Sequence, residues 1–206
     1  ATTFPQLLAS TLGVPLGSIE LVEGETLEIA VPLGEHTQAS SLTIATRKTA
    51  SLFRLAAFCG ASLTDSPDSV KEAMSKFGES LGIAFQIIDD ILDVTSDEAT
   101  LGKRPGIDIA ERKPSLINVL WLESGDPAAQ RLRLPADPQT EGAFIEESLA
   151  KLRSSAILQK AKDTARYHAD IASKNLAEAL GGDLHNLPPA GEALFSVIDF
   201  ALERVL

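Results

Sequence analysis

The chain has 206 residues, with 29 acidic side chains against 18 basic ones, a net charge of −11 and a single cysteine. That balance argues against nucleic acid and anionic membrane surfaces as partners, and one thiol excludes an internal disulfide and fits a reducing compartment. The length is enough for one domain with a full core. No uncharged apolar run long enough to span a membrane is present, no signal peptide is read, and the expectation is a soluble, cytoplasmic protein.

Residues 3–12 and 17–31 read as two short helices separated by Gly13-Val14-Pro15, the second ended by Pro32-Leu33-Gly34. Gly24 inside the second costs stability relative to Ala, which predicts a close helix contact there. Residues 36–63 carry apolar Leu42, Ala45, Thr49, Leu52, Phe53, Ala56 and Ala57 at three- and four-residue spacing, the pattern of one long helix. Within it, Lys48 and Thr49 offer an ammonium and a hydroxyl that suit a phosphate. By itself the pair is read more simply as a lysine snorkelling at a helix edge. Cys59, in Leu55-Ala56-Ala57-Phe58-Cys59, reads as a core residue.

Ser66-Pro67 fits a helix start, with Pro in the first turn. The helix that follows, over about 67–95, has Gly78 and Gly82 four apart, where a neighbour can pack closely. It carries the most informative stretch, Phe85-Gln86-Ile87-Ile88-Asp89-Asp90-Ile91-Leu92-Asp93. At about 100° per residue, Gln86, Asp89, Asp90 and Asp93 fall within an arc of roughly 100°. The remaining positions are almost wholly apolar. Burying unpaired carboxylates costs several kcal/mol each. Carboxylates one turn apart suit Mg²⁺, which takes one or two of them, keeps waters and shares its other positions with substrate phosphates. A partly exposed helix with clustered acids is the plainer alternative.

Residues 96–113 form a charged loop holding Lys103, Arg104 and Lys113, read either as a cover over a polyphosphate or as a solvated connection. Residues 114–122 open a buried helix that includes Trp121, and 123–140 look like a surface connection. Residues 142–154, 155–180 and 189–206 read as amphipathic helices, with Gly181-Gly182 as a stop. Tyr167 reads as a packing residue. His36, His168 and His185 show no metal-ligand spacing and read as surface or helix-edge residues. With no repeat and no alternating strand pattern, the chain is all-α with seven to nine helices.

Several motifs then agree. Gly24-Glu25 with Leu27-Glu28, Lys48-Thr49-Ala50-Ser51-Leu52-Phe53, and Phe77-Gly78-x-x-Leu81-Gly82-Ile83-Ala84-Phe85-Gln86 are followed by Asp89-Asp90-Ile91-Leu92-Asp93-Val94, Gly102-Lys103, Gly106-x-Asp108 and Lys113-Pro114-Ser115. Together they resemble the trans-isoprenyl diphosphate synthases, or polyprenyl synthetases. The resemblance implies an isoprenoid-synthase-type helical bundle around a central cavity, commonly a homodimer. It implies condensation of an allylic prenyl diphosphate with isopentenyl diphosphate, dependent on Mg²⁺. Asp89, Asp90 and Asp93 match the second aspartate-rich motif, which helps hold the metal. Lys48, Thr49, Gln86, Lys103 and Lys113 match positions that contact the allylic diphosphate, Lys48 and Lys103 as the catalytic cations.

The sequence also departs from the family. Its Gly-Gln is here Gly24-Glu25, and Lys113-Pro114-Ser115 has Ser for the usual Thr and lacks a second Pro. An earlier aspartate-rich motif and a basic isopentenyl-diphosphate site have no counterpart in these 206 residues. The expectation is therefore one partial domain over 1–206, with the bundle's N-terminal helices missing, inactive or nearly so by itself. A non-catalytic subunit of a heteromeric synthase is the alternative, disfavoured because the acidic and lysine set is retained.

Overall fold

The computed structural model describes residues 16–97, 104–182 and 187–205. The expected helix over 3–12, Lys103 and His185 lie outside the described residues. Among the described residues there are nine α-helices and no strand. They are α1 (Leu16–Ala30), α2 (Gln38–Ile44), α3 (Ser51–Ser62), α4 (Asp68–Thr95), α5 (Ile107–Ala110), α6 (Leu116–Glu123), α7 (Glu141–Arg153), α8 (Ala156–Ala179) and α9 (Pro189–Glu203). No described helix is long and apolar enough to cross a membrane.

Helix α4 is the spine. Its 28 residues extend about 42 Å at 1.5 Å per residue, and α3 and α8 pack along it. Both contacts depend on small side chains. A Cβ on Gly82 would fall 2.5 Å from the Ala50 Cα, and one on Gly78 would fall 2.4 Å from the Phe53 carbonyl oxygen. On the opposite side, α8 buries Ala161, Ala165, Ala169, Ala172 and Leu176, spaced three and four apart. This places one alanine stripe against α4.

The spine carries two apolar clusters. Phe77, Leu81 and Ala84 pack with Ala169, Ala172, Leu176 and Ile198 of α8 and α9. Ile87, Ile88, Ile91 and Leu92 pack with Ile109, Leu116, Ile117, Trp121 and Phe144. Helix α6 is buried at every position from Leu116 to Leu122, which its uninterrupted apolar sequence requires.

The helix expected over 36–63 is not a uniform one. It starts at Gln38, where Thr37 and Ser40 cap each other reciprocally, side chain to backbone in both directions. Residues Ala45–Ala50 then form a π-helical turn. One extra residue per turn shifts the face that follows, and such turns recur at functional sites. The helix after Ser66 likewise begins later than Ser66-Pro67 suggests, at Asp68 with Pro67 in the N-cap position and no side-chain cap. Within the 123–140 connection, Pro127–Arg133 is a 3₁₀ helix that buries Ala129 and Leu132.

Three single-residue expectations, those for Cys59, Tyr167 and His36, are corrected. Cys59 is exposed, because it lies on the side of α3 that nothing among the described residues covers. Tyr167 is exposed on α8, opposite the alanine stripe. His36 is buried, with Nδ1 3.1 Å from Ser40 Oγ and Nε2 3.1 Å from the Val31 carbonyl. It ties the end of α1 to the start of α2. His168 is half-buried, and burial lowers its pKa. Trp121 is buried as expected.

Candidate functional site

A pocket of about 220 Å³ opens where α1, the α2–π turn, α4 and the loop before α6 converge. Glu28, Lys48, Gln86, Asp89, Asp90, Asp108 and Lys113 line it. Five of these seven were expected from the sequence. Helix α4 supplies Gln86, Asp89 and Asp90, and the π turn supplies Lys48.

The π turn lies directly on α1, since a Cβ on Gly24 would fall 2.6 Å from the Lys48 backbone nitrogen. Lys48 Nζ donates to both Glu28 oxygens, at 3.0 and 2.9 Å, and lies 3.4 Å from Glu25 Oε1. Burial alone works against the charge of Lys48, but these carboxylates outweigh it and raise its pKa. Lys113 is likewise buried in part, yet Glu111 at 2.9 Å and Asp108 at 3.5 Å raise its pKa.

Thr49 does not line the pocket but reaches it through Gln86. Its hydroxyl donates to Gln86 Oε1 at 2.6 Å, and Gln86 Nε2 donates to Asp90 Oδ1 at 3.0 Å. Asp90 Oδ2 accepts from the Leu116 backbone N–H at 2.9 Å, at the start of α6. Asp90 is buried, and its pKa is raised to about 8, first by that burial and then by the Asp108 carboxylate. Asp89, one residue earlier, is exposed.

Asp93 is placed differently from its two partners. It is buried and does not line the pocket. Its oxygens accept from the backbone N–H groups of Ile107 at 3.2 Å and Asp108 at 3.1 Å. Its carbonyl accepts from Gly106 N–H at 2.8 Å. The φ of +81° at Gly106 turns three successive N–H groups onto one residue, a geometry that favours glycine. The stripe drawn from helical periodicity thus divides, with Asp89 and Asp90 at the pocket and Asp93 fixing the segment that brings Asp108 to it.

Three contributors were missed, one of them Asp108, which was quoted in a motif without a role. Asn118, buried in α6, donates to the carbonyls of Asp108 at 2.9 Å and Lys113 at 3.0 Å, holding the loop that presents both side chains. Its signal was an amide in the middle of an apolar helix. Glu28 was quoted without a role. Its signal was a position one turn beyond Glu25 on a helix rich in acids.

Among the described residues the pocket therefore holds four carboxyl groups and two ammonium groups, both ammonium groups already paired. Among the described residues no three His, Cys, Asp or Glu side chains converge as a complete metal-binding group. The donor set of Asp89 and Asp90 fits a hard divalent cation that brings most of its oxygens with water or a phosphate ligand. Beside it, Phe85 is exposed one turn before Asp89 and packs against Phe53 with ring centroids 5.4 Å apart. An apolar edge thus adjoins the charged pocket.

A sequence family described as polyprenyl synthetase matches residues 16–147. The chain is 31% identical over 205 residues to nonaprenyl diphosphate synthase of Mycobacterium tuberculosis, covering 99% of this chain and 56% of that protein. It is 45% identical over 191 residues to an all-trans-nonaprenyl-diphosphate synthase (geranyl-diphosphate specific) of Rhodobacter capsulatus, covering 92% and 56%. Polyprenyl synthase of Caulobacter crescentus, in a crystal structure with calcium and isoprenyl diphosphate, superposes with a TM-score of 0.78 at 30% identity, covering 92% of this chain and 57% of that one. The chain thus spans a little over half the length of these relatives. With most of the bundle matched in sequence and superposed in space, the chain belongs to the polyprenyl synthetase family.

Proposed function

We propose that the chain forms the diphosphate-binding part of a magnesium-dependent prenyltransferase that condenses an allylic prenyl diphosphate with isopentenyl diphosphate. The observation that carries this reading is the convergence of Lys48, Lys113, Gln86, Asp89 and Asp90, from three separate segments, on one pocket. No simple structural role requires two lysines, the buried Asp90 and the exposed Asp89 to meet there.

In this reading Asp89 and Asp90 hold Mg²⁺, which when bound neutralises charge on the leaving diphosphate. Lys48 and Lys113 meet the same charge with ammonium groups, and Lys103 joins them from the loop. Thr49 and Gln86 orient the Asp90 carboxylate through their hydrogen-bond chain. Asp93 acts by shaping the loop rather than by ligating. The apolar edge at Phe53 and Phe85 keeps water from the allylic carbon. The Caulobacter crescentus relative, bound to calcium and isoprenyl diphosphate, supports a divalent cation and a prenyl diphosphate as the ligand pair.

The reading treats 1–206 as one partial, cytoplasmic domain that works as a homodimer. Exposed Val22 and Ile29, two turns apart on α1, support such pairing, and light scattering on the purified chain tests it. The function is tested by calorimetric titration with inorganic pyrophosphate. Binding is expected in the presence of Mg²⁺ and to weaken sharply in EDTA. No binding with Mg²⁺ contradicts the proposal. Given both prenyl diphosphates and Mg²⁺, the isolated chain is expected to give little or no elongated product, and robust elongation would overturn that part.

A further inference from the structure

One charged neighbour of Lys48 stands outside the pocket. Glu28 and Lys48 both line the pocket, whereas Glu25 does not. The Lys48 ammonium is therefore held by two carboxylates three residues apart on α1, Glu28 at 2.9 Å, which lines the pocket, and Glu25 at 3.4 Å, which does not. Both carboxylates come from α1, whose backbone abuts the π turn at Gly24.

Helix α1 makes further pairs along its length, from the flank opposite Glu25 and Glu28. Glu23 meets Arg47 at 3.4 Å, and Glu20 meets Arg54, which also pairs with Glu79 at 3.3 Å. Neither Arg47 nor Arg54 lines the pocket. These contacts seat α1 on the π turn and α3, so Glu25 need not move for Lys48 to feel it. Glu25 is also the position at which the sequence departs from the family's glutamine. An amide there could accept a hydrogen bond from the ammonium but would lack the charge that holds it.

We propose that Glu25 is a positioning residue for Lys48, sharing its ammonium with Glu28 so that an incoming diphosphate must take it from two carboxylates rather than one. The inference rests on the pocket being a diphosphate site. Among the described residues, the two lysines that line that site are both engaged in ion pairs before any ligand arrives, and the carboxylates of Glu28, Asp89 and Asp108 line it with them. A free diphosphate is therefore opposed by the field of the pocket, and each extra carboxylate on Lys48 adds to that opposition. Removing the Glu25 charge relieves the opposition without removing any group that lines the pocket.

The test is calorimetric titration of the 206-residue chain with inorganic pyrophosphate, in EDTA and again in excess Mg²⁺, for wild type, E25Q and E23Q. Glu25 is 42% exposed, so the near-isosteric E25Q is expected to fold, and a thermal melt confirms it. A half-exposed ion pair corresponds to about a two- to five-fold change in affinity. E25Q is expected to bind pyrophosphate more tightly by that factor, with the gain shrinking as NaCl is raised. E23Q removes the same charge from the same helix beside Arg47 and is expected to match wild type. An E25Q affinity no better than wild type in either condition overturns the proposal, as does an equal gain in E23Q. Failure of wild type to bind pyrophosphate in Mg²⁺ contradicts instead the function on which the inference rests.

Discussion

Asn118 shows how one side chain can fix a site it does not line. Its amide holds the carbonyls of Asp108 and Lys113, and those two residues bring a carboxylate and an ammonium into the pocket. Replacing Asn118 by Ala leaves two carbonyls to find other partners inside the fold. The expected cost is about 1–3 kcal/mol, measured by urea unfolding, together with weaker pyrophosphate binding in Mg²⁺. A second residue gives a pH signature. Asp126 accepts from Lys151 at 2.6 Å, from the Trp121 indole N–H at 2.9 Å and from the Ala128 backbone N–H at 3.0 Å. These bonds, that to Lys151 foremost, lower its pKa from 3.8 to about 2. A carboxylate held below its unfolded value contributes stability that is fully present above that value and is lost as pH falls through the folded one. Unfolding of wild type, followed by the fluorescence of the chain's single tryptophan, is therefore expected to become easier between pH 4 and 2. D126N is expected to be weaker at neutral pH and to lose part of that slope.

At the scale of elements, glycine placement decides which helices can touch. Gly82 sits against Ala50 with no room for a Cβ, whereas Gly60 in α3 has no atom near its Cβ position. Gly82→Ala must push the end of the π turn and the start of α3 off the spine, and it is expected to lower stability by about 1–3 kcal/mol. Gly60→Ala in the same α3–α4 pair is expected to raise it by about 0.5–1 kcal/mol through helix propensity alone. Thermal or urea melts of the two variants provide the comparison, and destabilisation by both would mean that space is not the cause. The close contacts at Gly24, Gly78 and Gly82 were legible in the sequence because a glycine inside an apolar helical pattern has few other reasons to be there. The π turn at Ala45–Ala50 was not. Three- and four-residue spacing continues through it, and only the packing of α1 and α4 on either side distinguishes it. The division of the acidic stripe was hidden for a related reason. The N–H groups that engage Asp93 lie 14 and 15 residues further on, and helical periodicity carries no information about them. Exposed Cys59 and Tyr167 and buried His36 share that cause, since each depends on which neighbouring helix is present.

At the scale of the whole molecule, α4 joins the core to the site. Its isoleucines form one cluster with α6 and its phenylalanine end another with α8 and α9. The residues left over from this packing, Gln86, Asp89 and Asp90, face the pocket. The all-helical class followed from composition and periodicity, and the motifs singled out Lys48, Lys113, Asp89 and Asp90 as residues of one site. The ion pairs that hold those lysines before ligand arrives belong to the assembled fold alone. The net charge of −11 makes the same point globally, since a chain this acidic needs cations close to any phosphate it holds. A crystal structure of the chain grown with Mg²⁺ and inorganic pyrophosphate tests this account most directly. It is expected to show the anion between Lys48 and Lys113 with a cation at Asp89 and Asp90. Pyrophosphate seated elsewhere, or a cation that ignores those two aspartates, would contradict it.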